Sequence, residues 1–361
     1  MRPPVTLPVT LLTSMDPVLR DSATAAALWG GPGTVLLRYD LAPDRLHRLA
    51  AEFDRVLEDV DVPLEHACLG CALREDVLPA VAAIARAGRA ERLVLALPVT
   101  AEPLAVLQAL THGTDGADDL ADLVTVTGVV AVAHGPGLLE DLLGDELVVG
   151  AAGEETDRAV GEVLAHQLDE ADLVLVDGEL PARSAVLLDH VTAPGCVVAD
   201  LLAADASDLL APRRLATADP VAEPLRRSDL RAARPSGADD RLGVFTLDLR
   251  TPAPLHPGRL LEEIEAVGAG RLRARGFFWV PSRPEVVCAW DGAGGQLSIG
   301  TIGTWDARRG ERPRTRLVVT GVDEGDAERV SAAFERILAT PAESAAWTAP
   351  EDGLEPWLGD R

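Results

Sequence analysis

Two cysteines separated by two residues, Cys68 and Cys71, sit in the stretch Glu65-His66-Ala67-Cys68-Leu69-Gly70-Cys71, just ahead of a run that reads as a helix from Glu75 to Ala87. A short loop brings thiols at that spacing to one point, where they can hold a soft metal ion or form a local redox couple. For a metal, His66, Glu65 and Glu75 are the nearest further donors, because transfer sites commonly use three protein ligands and an open position. A place ahead of a helix lowers a thiol's pKa and suits redox work, although no neighbouring basic group in the sequence strengthens that reading. Cysteine is also among the most buried residue types, so the pair can simply pack. Spacing alone leaves all three readings open.

A second stretch has the position of a phosphate site without its chemistry. The apolar strand Pro8-Val9-Thr10-Leu11-Leu12-Thr13 runs into a loop from Ser14 to Ser22. Where backbone amides cradle phosphate at a helix N-terminus, glycines let the chain approach and a lysine meets the terminal phosphate. This loop has no glycine, and it carries Pro17, Asp16 and Asp21 where an anion would sit. Other candidates are weaker. His134 beside Gly135-Pro136-Gly137 reads as a turn, and His112, His166 and His190 have no ligand-spaced partner. Cys196 and Cys288 lie in apolar runs and read as core, while Arg271, Arg273 and Arg275 alternate on one strand and read as a solvated face.

The elements that must position these residues follow from periodicity. Short apolar runs at 5–12, 34–37, 92–97, 123–132, 173–176 and 196–199 read as buried strands. Helical patterns lie between them at 42–60, 75–87, 101–110, 136–143, 158–170 and 181–190. Such alternation predicts an α/β domain with a doubly wound, mainly parallel sheet over residues 1–212. A Pro-, Arg- and Asp-rich linker over 213–240 follows, and its arginines, among them Arg213, Arg214, Arg226 and Arg227, read as solvated. Residues 241–340 predict a smaller α+β domain: strands at 242–249, 272–280, 286–290, 296–302 and 315–320, with helices at 257–267 and 324–338. The tail, 341–361, is expected to dock through Trp347 and Trp357.

Composition narrows the partners. The 361 residues hold 58 acids against 33 basic groups, for a formal charge of −25. That field repels nucleic acid and anionic lipid, so neither direct nucleic-acid binding nor membrane association is expected. The chain contains no lysine, which excludes any lysine-dependent mechanism and matches the codon bias of a GC-rich genome. Four scattered cysteines do not make a disulfide framework, and the absence of a leader-like or membrane-spanning segment predicts a cytoplasmic protein.

Three landmarks in order resemble those of the CobW family: Pro8 to Thr13, Ala67-Cys68-Leu69-Gly70-Cys71-Ala72-Leu73-Arg74-Glu75-Asp76, and Gly270-Arg271-Leu272-Arg273-Ala274-Arg275-Gly276-Phe277-Phe278-Trp279. The resemblance implies a P-loop-GTPase-like domain followed by a CobW-type C-terminal domain, and zinc as the metal. It places the family's phosphate loop on Ser14 to Ser22, with Arg20 in place of its lysine and Ser22 as the remaining hydroxyl; these two are the candidate nucleotide contacts. After the third strand, Ala96 and Val99 replace the family's Glu and Gly, and Val176-Asp177-Gly178-Glu179 lacks its Asn-Lys pair. The family's thiol pattern has three cysteines, and here Gly70 stands at the middle one. Resemblance therefore implies a pseudo-GTPase of zinc homeostasis, with GTP and Mg²⁺ not expected and Cys68, Cys71 and His66 as metal ligands. Its partner would be a client metalloprotein or a ribosome-associated protein. Two alternatives accompany this reading: a regulatory protein linked to ribosome remodelling or hibernation under zinc starvation, and a still-active GTP-dependent metallochaperone.

Overall fold

Strand β1 (Leu7–Ser14) is buried along nearly its whole length, as an unbroken apolar run inside a parallel sheet must be. The computed structural model describes residues 6–64, 68–112, 120–149, 155–213, 229–306, 308, 310–347 and 352–359. After β1 come α1 (Pro17–Leu28), β2 (Thr34–Ala42), β3 (Arg45–Glu52), β4 (Arg55–Pro63), α2 (Leu69–Ala72), a π turn (Leu73–Val77) and α3 (Leu78–Ala87). Then follow β5 (Arg92–Ala96), α4 (Pro103–His112), α5 (Leu120–Leu123), β6 (Val124–His134), α6 (Leu138–Leu143), β7 (Leu147–Val149), β8 (Glu155–Ala159) and α7 (Val160–Asp169). β9 (Leu173–Asp177), α8 (Ala182–Val191), β10 (Val197–Asp200) and α9 (Ala206–Leu210) complete the first domain. Its eight-stranded sheet runs β10-β9-β6-β1-β5-β2-β3-β4. β1 pairs in parallel with β5 on one side and β6 on the other, which makes its C-terminal end the switch point where α/β proteins bind ligands.

Two expectations fail here for physical reasons. Residues 42–60 form strands and not a helix: β3 pairs antiparallel with β2 and β4. Leu46, Leu49, Phe53, Val56 and Val60 satisfy helical spacing, but Phe53, Val56 and Val60 are exposed, so no helical face is buried. Pairing with β2, together with the short turns at Pro43-Asp44 and Phe53-Asp54, overrides local periodicity. The stretch 14–22 is also mostly helix, since α1 starts at Pro17 with Asp16 as its N-cap.

The second domain contains β11 (Phe245–Thr251), α10 (Pro257–Gly268), β12 (Leu272–Phe278), β13 (Val286–Ala293), β14 (Gln296–Thr304), β15 (Thr315–Gly321) and α11 (Asp326–Ile337). Short helices α12 (Pro341–Ala345) and α13 (Glu355–Leu358) end the chain. Its sheet, β11-β15-β12-β13-β14, is wholly antiparallel and packs through Trp290, Phe278 and Leu317 onto α10 and α11. The tail docks by Leu354, Leu358 and the buried Arg283–Asp352 pair, with Trp347 edge-on to His256; Trp357 stays 42% exposed and is not an anchor. Arg214, Arg226 and Arg227 fall outside the described residues, and Arg213 donates to Asp208 O and Ala211 O.

The arginines of β12 are not a solvated face. Arg273 is buried, with one nitrogen 2.8 Å from Asp169 of α7 and another on Asp291 of β13. Arg275 reaches the other oxygen of Asp169 at 2.9 Å, and Arg271 reaches Glu140 of α6 at 2.7 Å. The three clamp the second domain onto the first. Beside them Gly161 of α7 meets Gly294 so closely that a Cβ on Gly161 would stand 2.7 Å from the Gly294 Cα, which explains glycine at both positions.

His166 of α7 belongs to the same seam, with Nε2 3.1 Å from Asp291. Burial disfavours the charged ring, but Asp291 and Glu102 beside it outweigh burial and the repulsion of Arg273, raising its pKa from 6.5 to about 10. A raised folded-state value means stability that is fully present below pH 6.5 and lost as pH climbs through about 10. The urea midpoint of the parent should therefore exceed that of His166→Gln near pH 6, with the gap closing by about pH 10. A gap independent of pH would exclude this charge from the seam.

Candidate metal centre

Cys68 begins the helix formed by α2, the π turn and α3. Its Sγ accepts the Cys71 amide at 3.2 Å, so the thiol serves as the N-cap. The helix widens immediately afterwards: the Leu78 amide reaches back to Leu73 O, a π-type bond. Pro79 accounts for the break, because its ring crowds the carbonyl of Glu75 and it has no amide to donate. The widened turn carries Asp76 inward to accept Tyr39 Oη at 2.9 Å and Arg48 of β3. Burial, then Asp76, push the Tyr39 phenol far above its usual range, so it stays a hydrogen-bond donor. This Tyr39–Asp76–Arg48 set ties the thiol-bearing helix to the β2–β3 hairpin. Sequence reading missed it, because its members lie on separate elements and a buried Asp in a helical run carries no local signal.

The two thiols are held unequally. Cys68 is exposed and Cys71 half-buried. The neighbouring Cys71 thiol and then its amide lower the Cys68 pKa, while the Cys71 thiol is raised, chiefly by donating to Cys68. Cys68 is thus the more readily deprotonated of the two, and the thiolate is the form that binds metal. Arg74 lies 3.9 Å from the Cys71 sulfur, correcting the expectation that no basic group neighbours the pair. His66 and Glu65 lie outside the described residues. Glu75 pairs loosely with Arg74 at 3.8 Å. Among the described residues, and apart from its chain neighbours and the helix's own backbone, no atom lies within 4 Å of where a Cβ on Gly70 would stand. Cys288 is fully buried, and burial pushes its thiol up to about 12, so it packs and does no chemistry. Cys196 is half-buried against the apolar cluster of α6–α8.

At the phosphate-loop position the helix N-terminus already holds an anion. Asp16 Oδ1 accepts the amides of Val18 at 2.6 Å and Leu19 at 3.1 Å. Arg20 turns away from the loop: it is buried and donates to Tyr39 O and Leu97 O, with Asp40 at 2.7 Å. Ser22 Oγ donates to Val18 O, 2.8 Å away inside its own helix. The adjoining cleft, about 500 Å³, is walled by Met15, Leu19, Val99 and Val148 and by Asp16, Asp141 and Glu146. Burial, chiefly, and then Glu146 and Glu140 raise the Asp141 pKa against the opposing pull of His134. Thr100, at its rim, holds a left-handed φ of 71°. At the base-recognition position Gly178 packs on Pro136, and Asp177 O accepts the Gly135 amide at 2.8 Å.

One cluster brings together residues that sequence spacing left apart. Ligand atoms of Glu102, Glu162 and His166 lie within 4.8 Å of one another. Glu162 and His166 are four apart on α7, a spacing that puts both on one face; Glu102 arrives from the loop before α4.

Residues 244–338 match the family described as cobalamin synthesis protein cobW C-terminal domain. The zinc chaperone Rv0106 of Mycobacterium tuberculosis is 28% identical over 311 residues, covering 82% of this chain and 74% of that protein. A zinc-regulated GTPase metalloprotein activator 1 of Dictyostelium discoideum is 25% identical over 277 residues, covering 71% of this chain and 57% of its own length. Among solved structures, Zn(II)-bound YjiA GTPase from E. coli aligns with a TM-score of 0.40 at 15% identity, over 92% of this chain and 99% of that one.

Proposed function

We propose, from the premise that this chain belongs to the CobW-type family, that it handles zinc through Cys68 and Cys71 and does not hydrolyse GTP. The observation that carries the zinc half is the pair itself: an exposed Cys68 whose sulfur caps the helix, beside a half-buried Cys71 in its first turn. Two thiols and an open remainder suit an ion that is received and passed on, whereas a structural zinc is closed by four ligands. The ion is cargo, and a client metalloprotein is the partner this reading implies; the relatives named as a zinc chaperone and a metalloprotein activator support it. Among the described residues no helix is long and apolar enough to cross a membrane.

The other half rests on Asp16. A cap of this kind is worth about 1 kcal/mol. A phosphate at the same amides would forfeit it and meet a carboxylate. Phosphoryl transfer depends on positioning and on neutralising charge, and here Arg20 points into the sheet while Asp141 and Glu146 face the cleft. The chain keeps the GTPase-like scaffold as a platform for the thiol helix.

Two outcomes follow. Gly70→Cys adds a third thiol into open space, and competition titration should show zinc affinity rising by about tenfold or more; unchanged affinity would mean the two thiols do not face a common ion. A fluorescent GTP analogue with Mg²⁺ should show no saturable binding, and a micromolar dissociation constant would restore the GTPase reading.

A further inference from the structure

We propose a second divalent-cation site, separate from the thiol pair, formed by Glu102, Glu162 and His166 Nδ1 at the junction of the two domains. Three features carry it. The donors already converge, with all three ligand atoms within 4.8 Å of one another. Nδ1 of His166 is buried and makes no hydrogen bond of good geometry; Glu102 Oε1 stands 3.2 Å from it as an ion-pair partner. Two ligands of one tetrahedral zinc, each about 2.0 to 2.2 Å from the ion, stand at about that separation and out of hydrogen-bond line. Third, Nε2 is held at 3.1 Å by Asp291 of the second domain, which is the outer-shell carboxylate that orients a metal-binding imidazole and fixes its free nitrogen.

One imidazole and two carboxylates are a donor set for a zinc-type ion with an open position. Zinc is taken as the ion from the function proposed above; the geometry stands without it. Arg158 now neutralises the carboxylates, touching Glu102 and lying 4.0 Å from Glu162. Its side chain is 40% exposed, so it can leave for water when an ion enters. The cleft beside the cluster, about 320 Å³ and lined by Arg158, Glu162, His166, Asp291 and Trp357, gives the ion a path from solvent. Occupancy would be sensed by both domains, because the ring that binds the ion is the ring that Asp291 holds.

The test uses the full chain and zinc alone, by competition titration and by the shift in melting temperature that zinc produces. Cys68→Ser/Cys71→Ser should still bind zinc and be stabilised by it. Adding Glu162→Gln should weaken that binding by about tenfold or more, the scale on which even outer-shell losses are felt. Without zinc its melting temperature should match that of Cys68→Ser/Cys71→Ser, since the ion pair that Glu162 makes among the described residues is the long contact with Arg158 at 4.0 Å. If Glu162→Gln lowers that temperature, Glu162→Asp keeps the charge and retracts the donor, and the same weakening is expected. Cys68→Ser/Cys71→Ser protein that binds no zinc, or binds it equally with and without Glu162, overturns this site and leaves the thiol reading standing. Binding untouched by loss of the thiols and abolished by Glu162→Gln sustains this site and sinks the thiol reading instead.

Discussion

A buried guanidinium cannot be left without counter-charge, and Arg273 meets that demand with one carboxylate from each domain, Asp169 and Asp291. Taking either away would leave the buried guanidinium with only half of its counter-charge, a costly loss in a seam shielded from water. This fixes how α7 lies against β12 and β13, and with it the close glycine contact of Gly161 on Gly294. The Asp291 carboxyl, against the pull of burial, is held far below its usual range by Arg273 and His166. His166 is in turn positioned by that carboxylate, so the seam and the acid–imidazole cluster at its edge are one structure. Val244, Ala293 and Val322 of the second domain complete the apolar cluster of α6–α8, so the two domains share core as well as charge.

The thiol helix depends on a different buried acid. Asp76 is carried inward by a π turn that Pro79 imposes, and it fastens the helix to Tyr39 and Arg48. Cys68 and Cys71 therefore stand at the outer end of a rigid element and not on a free loop. Fixing the helix while leaving the thiols at its exposed end would suit the proposed transfer: the donors are placed, and an ion bound there would be reachable. The phosphate position shows the converse. Its scaffold persists, but Asp16 caps its own helix and Arg20 holds the sheet.

Much of this was legible from sequence. The strand patterns at 242–249, 272–280 and 315–320 and the Pro257 helix start are local signals, and the second domain's elements fall within a few residues of expectation. Glycine loss, Asp16 and the missing lysine were legible too, since each is a matter of residue type. What failed depended on partners far along the chain. The 42–60 pattern has helical spacing, and pairing with β2 overrides it. Arg271, Arg273 and Arg275 alternate as read, but their acids lie on α6, α7 and β13, where nothing in the β12 sequence points. His166 was set aside for want of a ligand at metal spacing along the chain; Glu162 was in fact four residues before it, and Glu102 and Asp291 come from other elements.

The central claim is that Cys68 and Cys71 bind the ion together, and cobalt(II) substituted for zinc tests it most directly because thiolate ligands alone give a sulfur-to-metal charge-transfer band. The parent protein should show that band, weakened in either single serine variant and lost in Cys68→Ser/Cys71→Ser. A cobalt-loaded parent without the band, or a double variant that retains it, would contradict the account.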